Sequence, residues 1–285
     1  MFIATGRFAE APGSRPVHWA ATGRFGGVSE GAFASLNLAA HVGDDPIAVQ
    51  RNRDAVRQAV GASALAVIQA VHGARIRYVS QQEPPAPTPS PPSHMEWSFS
   101  GPGGPEKPPF HVARRGEGLG YDDLGYDGLV TDQAGIALLA LGADCAMLAL
   151  AGERAIAVVH CGWQGLVADA VGAAVAAVRA LDDEVRAGVL SAAICGACYP
   201  VPADRVAAVQ HSLADGPGVL VACDDGQVGI DVRAGVLARL EGLGVGRNAI
   251  EALPGCTYED SGYFSYRRDG VTGRNGLVAM IAPAL

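Results

Sequence analysis

Three apolar runs succeed one another between residues 127 and 162: "DGLVTD", "GIALLALGADCAMLALAG" and "RAIAVVHCG". They are β-compatible and are punctuated by Gly-Ala-Asp and by Gly152, so they read as neighbouring strands. The third run stops at His160-Cys161-Gly162-Trp163-Gln164-Gly165 and gives way to small residues at helical spacing, which predicts a helix over 165–181. Further helices are expected at 202–214 and in "DVRAGVLARLEGLGV", where Val232, Val236, Leu237, Leu240 and Leu243 share a face closed by glycine. Upstream, Asp44-Asp45-Pro46 resembles a helix start, and Ile47, Val49, Val56 and Val60 continue it. "LAVIQAVHGARIRYVS" reads as strand, turn at Gly73, strand, with His72 at a strand end. The chain closes on a polar loop leading into a strand. Helices do not alternate strictly with strands, so an α+β sandwich is expected rather than a doubly wound parallel sheet.

The 285 residues suffice for one large core, and 49% hydrophobic against 18% charged residues describes a compact chain. One domain over 1–285 is expected, interrupted by a surface insertion at about 83–110 that holds ten of the eighteen prolines. No apolar run approaches eighteen residues and no basic leader precedes an apolar block, so the expectation is a cytoplasmic protein, monomer or homodimer, with no membrane partner. A formal charge of −8 argues against a nucleic-acid polymer as partner, while leaving room for a small anion held by a few arginines. Six irregularly placed cysteines do not make a disulfide framework. Neither a Gly-x-Gly-x-x-Gly nor a Walker-type loop is present.

His72, Cys145 and His160 each stand at the end of an apolar run. Taken by spacing alone they read as hydrogen-bonded core histidines and a small buried thiol. Two details favour chemistry. Asp144, beside Cys145, needs a polar pocket, and Gly162 and Gly165 permit close approach where the next helix begins. If the three converge, two imidazoles and one thiolate match a catalytic zinc site with an open position, or a copper site. Multicopper chemistry fails on ligand supply, since seven histidines include no His-x-His pair. "SYRRDGVTGR" brings Arg267, Arg268 and Arg274 around Thr272, a set suited to phosphate or carboxylate but equally to a solvated loop. Cys195 and Cys198 have Cys-x-x-Cys spacing without a thioredoxin-like context or a second pair. Cys161 is expected in the core, because it faces away from His160, and Trp163 either packs or stacks on a planar ligand.

In their order, "GGVSEGAFASLNLAAHVGDD", "NR" at 52–53, "QAVHG", "DGLVTD", "ADC", "HCGWQG", "ICGACYPVP" and "FSYRRDGVTGR" resemble the laccase-domain family, whose members are also labelled multicopper polyphenol oxidases, peptidoglycan-editing factors and purine nucleoside phosphorylases. The resemblance implies a sandwich of two mixed β-sheets flanked by helices, similar to cytotoxic-necrotizing-factor-like cysteine hydrolases. It further implies phosphorolysis of inosine, adenosine and methylthioadenosine, with adenosine deamination in the same pocket. The family's metal triad falls on His72, Cys145 and His160, and its arginine after asparagine falls on Arg53.

The expected enzyme is therefore a zinc-dependent purine nucleoside phosphorylase, with copper as the other candidate metal. Arg53, Cys145 and Asp144 would be catalytic, and Arg267, Arg268, Arg274 and Thr272 would bind phosphate or substrate. The alternatives are a cysteine hydrolase or amidase editing peptidoglycan precursors (UDP-MurNAc-L-Ser), with Cys145 as nucleophile, a polyphenol oxidase-type copper protein, or a metal-stabilised binding protein. One departure from the family stands out: Cys161 and Gln164 occupy positions where relatives carry alanine and arginine.

Overall fold

A computed structural model of the chain describes residues 1–8, 15–80, 121–181, 184–213, 216–224 and 226–283. The proline-rich insertion expected at 83–110 lies outside the described residues. In chain order the elements are β1 (Phe2–Arg7), β2 (Val17–Thr22), α1 (Pro46–Ala59), β3 (Ala64–Gln69), β4 (Ile76–Tyr78), β5 (Tyr121–Leu124), β6 (Gly128–Thr131), β7 (Ile136–Gly142), β8 (Ala146–Ala151) and β9 (Ile156–Cys161). There follow α2 (Trp163–Val167), α3 (Ala170–Leu181), β10 (Ala187–Leu190), α4 (Ala203–Ser212), β11 (Leu220–Ala222), β12 (Val228–Ile230), α5 (Val232–Gly242), β13 (Ile250–Ala252), α6 (Tyr266–Asp269) and β14 (Asn275–Ile281).

Among the described residues the strands form two six-stranded mixed sheets, ordered β1-β2-β14-β7-β3-β5 and β13-β10-β8-β9-β6-β4, with β11 and β12 as a separate pair. Side-chain alternation shows how they stack. In β7, Ile136, Leu138 and Ala140 meet Met147 and Val158 of the other sheet. The intervening Ala137, Leu139 and Leu141 face outward, onto Leu36, Leu38 and Val56. In the second sheet Leu148, Leu150, Val159 and Cys161 point the other way, onto Val171, Val175 and Val178 of α3 and Val236 and Leu237 of α5. The layers are thus α1 with its loops, sheet, sheet, and α2 to α5. β7, β8, β9 and β14 are buried along their whole length, which is why they read as unbroken apolar runs rather than alternating ones. No helix among the described residues is long and apolar enough to cross a membrane.

α1 starts as expected: Pro46 occupies the first turn and the Asp45 carboxylate accepts a hydrogen bond from the Ile47 amide at 3.0 Å. Two expectations need correction. The helix predicted over 165–181 is two helices, because Asp169 adopts a left-handed conformation (φ 61°) between α2 and α3. Its carboxylate caps the Gly172 amide and takes both Nε and Nη2 of Arg239 at 2.7 Å, so a local cap and a bidentate ion pair outweigh continuous helix. β7 and β8 were expected side by side. They lie instead in opposite sheets, and Ala143-Asp144-Cys145 is the crossing between them. The aspartate that looked like a break between neighbours is the hinge of that crossing, at φ 91°.

Candidate metal centre

The topology gathers four strand ends at one end of the sandwich. β3 and β7 run parallel, so the turn after β3, bearing His72, and the turn after β7, bearing Cys145, leave the first sheet together. β9 runs antiparallel to β8 and pairs His160 with Met147, two residues beyond Cys145. β14 begins with Asn275 opposite Gly142 and delivers Arg274 to the same place. The ligand atoms of His72, Cys145 and His160 consequently lie within 4.8 Å of one another. The two imidazole rings meet edge to face with centroids 4.8 Å apart. His72 is exposed and itself adopts φ 62°, so the centre opens to solvent on that side while Cys145 and His160 form its floor.

These residues fit a transition metal. His160 is 4% exposed, yet its Nδ1 has no hydrogen-bond partner among the described residues. A buried imidazole nitrogen is rarely left so. Burial, with the nearby His72 and Arg274, pushes the His160 imidazole down to about 3, so it is neutral and able to donate a lone pair at any physiological pH. Burial and Asp144 push the Cys145 thiol up to about 12 against the opposing pull of Arg274. Cys145 therefore keeps its proton until a cation displaces it. This neutral thiol and neutral imidazole are the reverse of the thiolate and imidazolium pair that a cysteine hydrolase needs. Gly162 completes the cradle: a Cβ there would stand 2.9 Å from Cys145 Sγ and 3.7 Å from His72 Nδ1.

Around this floor the remaining predicted residues divide by what they hold. Asp144, 7% exposed, accepts from Thr257 Oγ1 at 2.7 Å and from the Arg267 amide at 2.6 Å, so its carboxylate ties the wall of the site together. Arg267 donates from Nη1 to Pro200 O at 3.2 Å and stacks over Tyr199 at 4.7 Å. Arg274 is held by Nη1 bonds to Thr272 O and Gly273 O, at 2.9 and 3.0 Å, and by its amide on Asn37 Oδ1. Thr272, 2% exposed, has a hydroxyl without a partner among the described residues. Arg268 differs from the other two arginines: it donates to the carbonyls of Thr257, Tyr258, Asp260 and Tyr263 and to both oxygens of Asp269, and so braces the 257–263 loop. Arg53 is buried in α1 and donates from Nε to Leu38 O at 2.8 Å. Gln164 is exposed on α2, and the neighbouring Trp163 packs against the helical core with Arg205 over its ring at 5.2 Å.

Four contributors were not singled out from sequence. Asp127, fully buried, accepts the Val71 amide at 3.0 Å and gives its carbonyl to the His160 amide at 2.8 Å, joining the two histidine segments. Asn37 and Asn52 fasten the 28–39 loop: Asn52 Nδ2 donates to Ser29 Oγ, Ser35 O and Asn37 O, while its Oδ1 accepts the Val28 amide. Thr257 supplies the hydroxyl on Asp144. A buried polar residue on an otherwise apolar helix face, as at Asn52 beside Val49 and Val56, is the one signal among these that periodicity could have exposed.

Comparison with known proteins identifies the family of this chain. A family model described as multi-copper polyphenol oxidoreductase laccase matches residues 18–282. A purine nucleoside phosphorylase from Corynebacterium glutamicum is 33% identical over 276 residues, covering 95% of this chain and 96% of the relative. Another from Streptomyces griseus is 34% identical, covering 93% and 94%. Among solved structures, a Neisseria meningitidis protein of family DUF152 aligns with TM-score 0.72 and 26% identity, over 98% of this chain and 99% of that one. YlmD from Geobacillus stearothermophilus aligns with TM-score 0.74 at 24% identity, over 97% and 99%, a likeness of fold. The chain belongs to the multi-copper polyphenol oxidoreductase laccase family, and the relatives it matches over nearly their whole length are named purine nucleoside phosphorylases.

Proposed function

We propose that this protein is a metal-dependent purine nucleoside phosphorylase that cleaves inosine, adenosine and methylthioadenosine, with adenosine deamination as a second activity of the same pocket. The observation that carries the reading is the convergence of His72, Cys145 and His160 within 4.8 Å beside Arg274, in a chain a third identical to enzymes of that name. Zinc is the metal proposed, because two imidazoles and one thiolate leave a position open on a tetrahedral ion. When bound, such an ion supplies Lewis acidity toward an oxygen of water or substrate.

The chain's own residues account for the rest. Arg267 and Arg274 bring two guanidiniums to the rim, and the unpartnered Thr272 hydroxyl adds a donor, so an anion with several oxygens is recognised there. Phosphate held in this way is positioned for attack at the ribose anomeric carbon; the bond from that carbon to the purine breaks, and the departing nitrogen takes up the proton that the incoming hydrogen phosphate gives up. Asp144, its oxygens spent on Thr257 and on the Arg267 amide, orients rather than transfers protons. Arg53 acts at one remove: it holds Leu38 O, next to the Asn37 side chain that positions Arg274. The thiol of Cys145 serves as a ligand, a role supported by its place within 4.8 Å of both histidine nitrogens and by the upward push on its pKa.

Metal-loaded protein incubated with inosine should release hypoxanthine only when phosphate is supplied. Release equally fast without phosphate would replace phosphorolysis by hydrolysis, and no release from any of the three nucleosides would end the proposal. In Cys145→Ala, the zinc of this centre and turnover should disappear together. Full zinc occupancy of this centre with no turnover would make Cys145 the nucleophile and revive the peptidoglycan-editing hydrolase.

A further inference from the structure

The Cys-x-x-Cys pair that lacks a partner pair in sequence acquires one in space. Cys195, Cys198, Cys256 and Glu259 present three thiol sulfurs and a carboxylate oxygen that all lie within 4.8 Å of one another. The group is separate from the centre at His72, Cys145 and His160. A short 3-10 turn over Gly196–Cys198, closed by the Cys198 amide on Cys195 O at 3.1 Å, puts both thiols on one side of the segment. Gly196 is required there, since a Cβ would stand 2.6 Å from the Val221 side chain. The third sulfur comes from Cys256, whose backbone bridges Ala193 in parallel and whose Sγ accepts the Cys195 amide at 3.3 Å. Glu259 closes the fourth side, with Oε1 3.5 Å from Cys198 Sγ. A thiolate and a carboxylate on one tetrahedral zinc, at bond lengths of about 2.3 and 2.0 Å, stand ~3.5 Å apart. All four cysteines of this region, including Cys223, are free thiols.

We propose that Cys195, Cys198, Cys256 and Glu259 form a second, structural metal site that takes Zn²⁺ in a closed set of three thiolates and one carboxylate. Sulfur-rich tetrahedral sets select zinc among the common divalent ions, and a fourth protein ligand leaves no position for substrate. Binding is a ligand exchange without redox change: the three thiol protons pass to solvent as the zinc–sulfur bonds form. The site clamps the 193–199 segment to the 256–259 loop, the two pieces of chain that also supply Tyr199 to Arg267 and Thr257 to Asp144. Its role is to fix the wall of the first centre, and it stands whatever reaction that centre performs.

The test uses full-length protein prepared with reductant, and zinc and cobalt(II) as probes. Wild-type protein should hold about two zinc ions per chain in native mass spectrometry, and Cys145→Ala about one. Cobalt added to Cys145→Ala, which lacks the only thiolate of the first centre, should give the thiolate charge-transfer and tetrahedral d–d absorption of the second, and the double variant with Cys198→Ser should lose both. Should Cys145→Ala fail to fold, Glu259→Ala serves in its place, because that exposed side chain can be removed from otherwise wild-type protein. Chelator should then strip one of its two zinc ions faster than from wild type, leaving the other unaffected. No zinc in folded Cys145→Ala, absence of cobalt–thiolate absorption in that variant, or a disulfide among Cys195, Cys198 and Cys256 in unreduced peptide maps would overturn the proposal.

Discussion

Gly162→Ala tests the metal centre without touching a ligand. Gly162 lies at φ −99° and ψ −170°, an extended conformation that alanine adopts freely, so the substitution introduces no backbone strain. The collision is local: the new methyl would stand 2.9 Å from Cys145 Sγ, and ordinary contact begins near 3.4 Å. The sulfur must therefore retreat by about 0.5 Å, against a tolerance of roughly 0.2 Å for metal–ligand distances. A misplaced ligand of this order should weaken zinc binding about 10–100-fold, or ~1.4–2.8 kcal/mol. Metal-free stability should change by no more than about 1 kcal/mol, because the crowding falls on one movable side chain and alanine also restricts the unfolded chain. Chelator competition reads the first quantity and denaturant unfolding of metal-free protein the second. Wild-type zinc affinity in Gly162→Ala would refute the placement of Cys145 in the coordination sphere, whereas equal losses in affinity and metal-free stability would mean that the glycine is needed for the fold alone.

Thr257→Val keeps the shape of the side chain but removes the donor to Asp144 Oδ1, and should destabilise the protein by about 1–3 kcal/mol in thermal or chemical unfolding, an unchanged transition being the refuting result. Tyr78 donates to Asp132 at 2.6 Å, and burial first, then that carboxylate, pushes its phenol up to about 12. Because the folded value is raised, the stabilisation is complete below about pH 10 and is lost as pH rises toward 12. Wild type should thus lose stability in that window faster than Tyr78→Phe, and parallel curves would remove the linkage. Gln164→Arg restores a charge on α2 near Arg205 and Trp163, and should lower the KM for phosphate by about 2–5-fold, with no change if the exposed side chain points away from the pocket.

The parts of the fold that could be read from sequence are those set by local rules. The start of α1 was visible because Asp45 and Pro46 are both local signals, and the strands 136–142, 146–151 and 156–161 because burial on both faces writes itself as apolar runs. Which sheet each strand joins is decided by pairings far along the chain, as when Asn275 meets Gly142, so the crossing at Asp144 looked like a mere interruption. The break at Asp169 depends on Arg239, seventy residues away, and no window across 165–181 contains it. The same distinction governs the sites. His72, Cys145 and His160 each carry a local mark, an end of a run or a flanking glycine or aspartate, and could be nominated one by one. Cys256 stands sixty-one residues from Cys195 in a loop with no such mark, and only the parallel bridge to Ala193 reveals its company.

His72 hangs from the turn that leaves the first sheet, Cys145 from the turn that enters the second, and His160 from the end of a strand in the second. An ion held by all three is therefore a rivet between the sheets. The spacing of its holes is set by the apolar layer between them, where Ile68, Leu138, Met147 and Val158 interdigitate. A rivet tolerates little play, so a methyl gained or lost in that layer, well away from any ligand, should be felt at the centre as a change in affinity. On the proposed reading, the hydrophobic core of this protein would be part of the instrument that selects a metal.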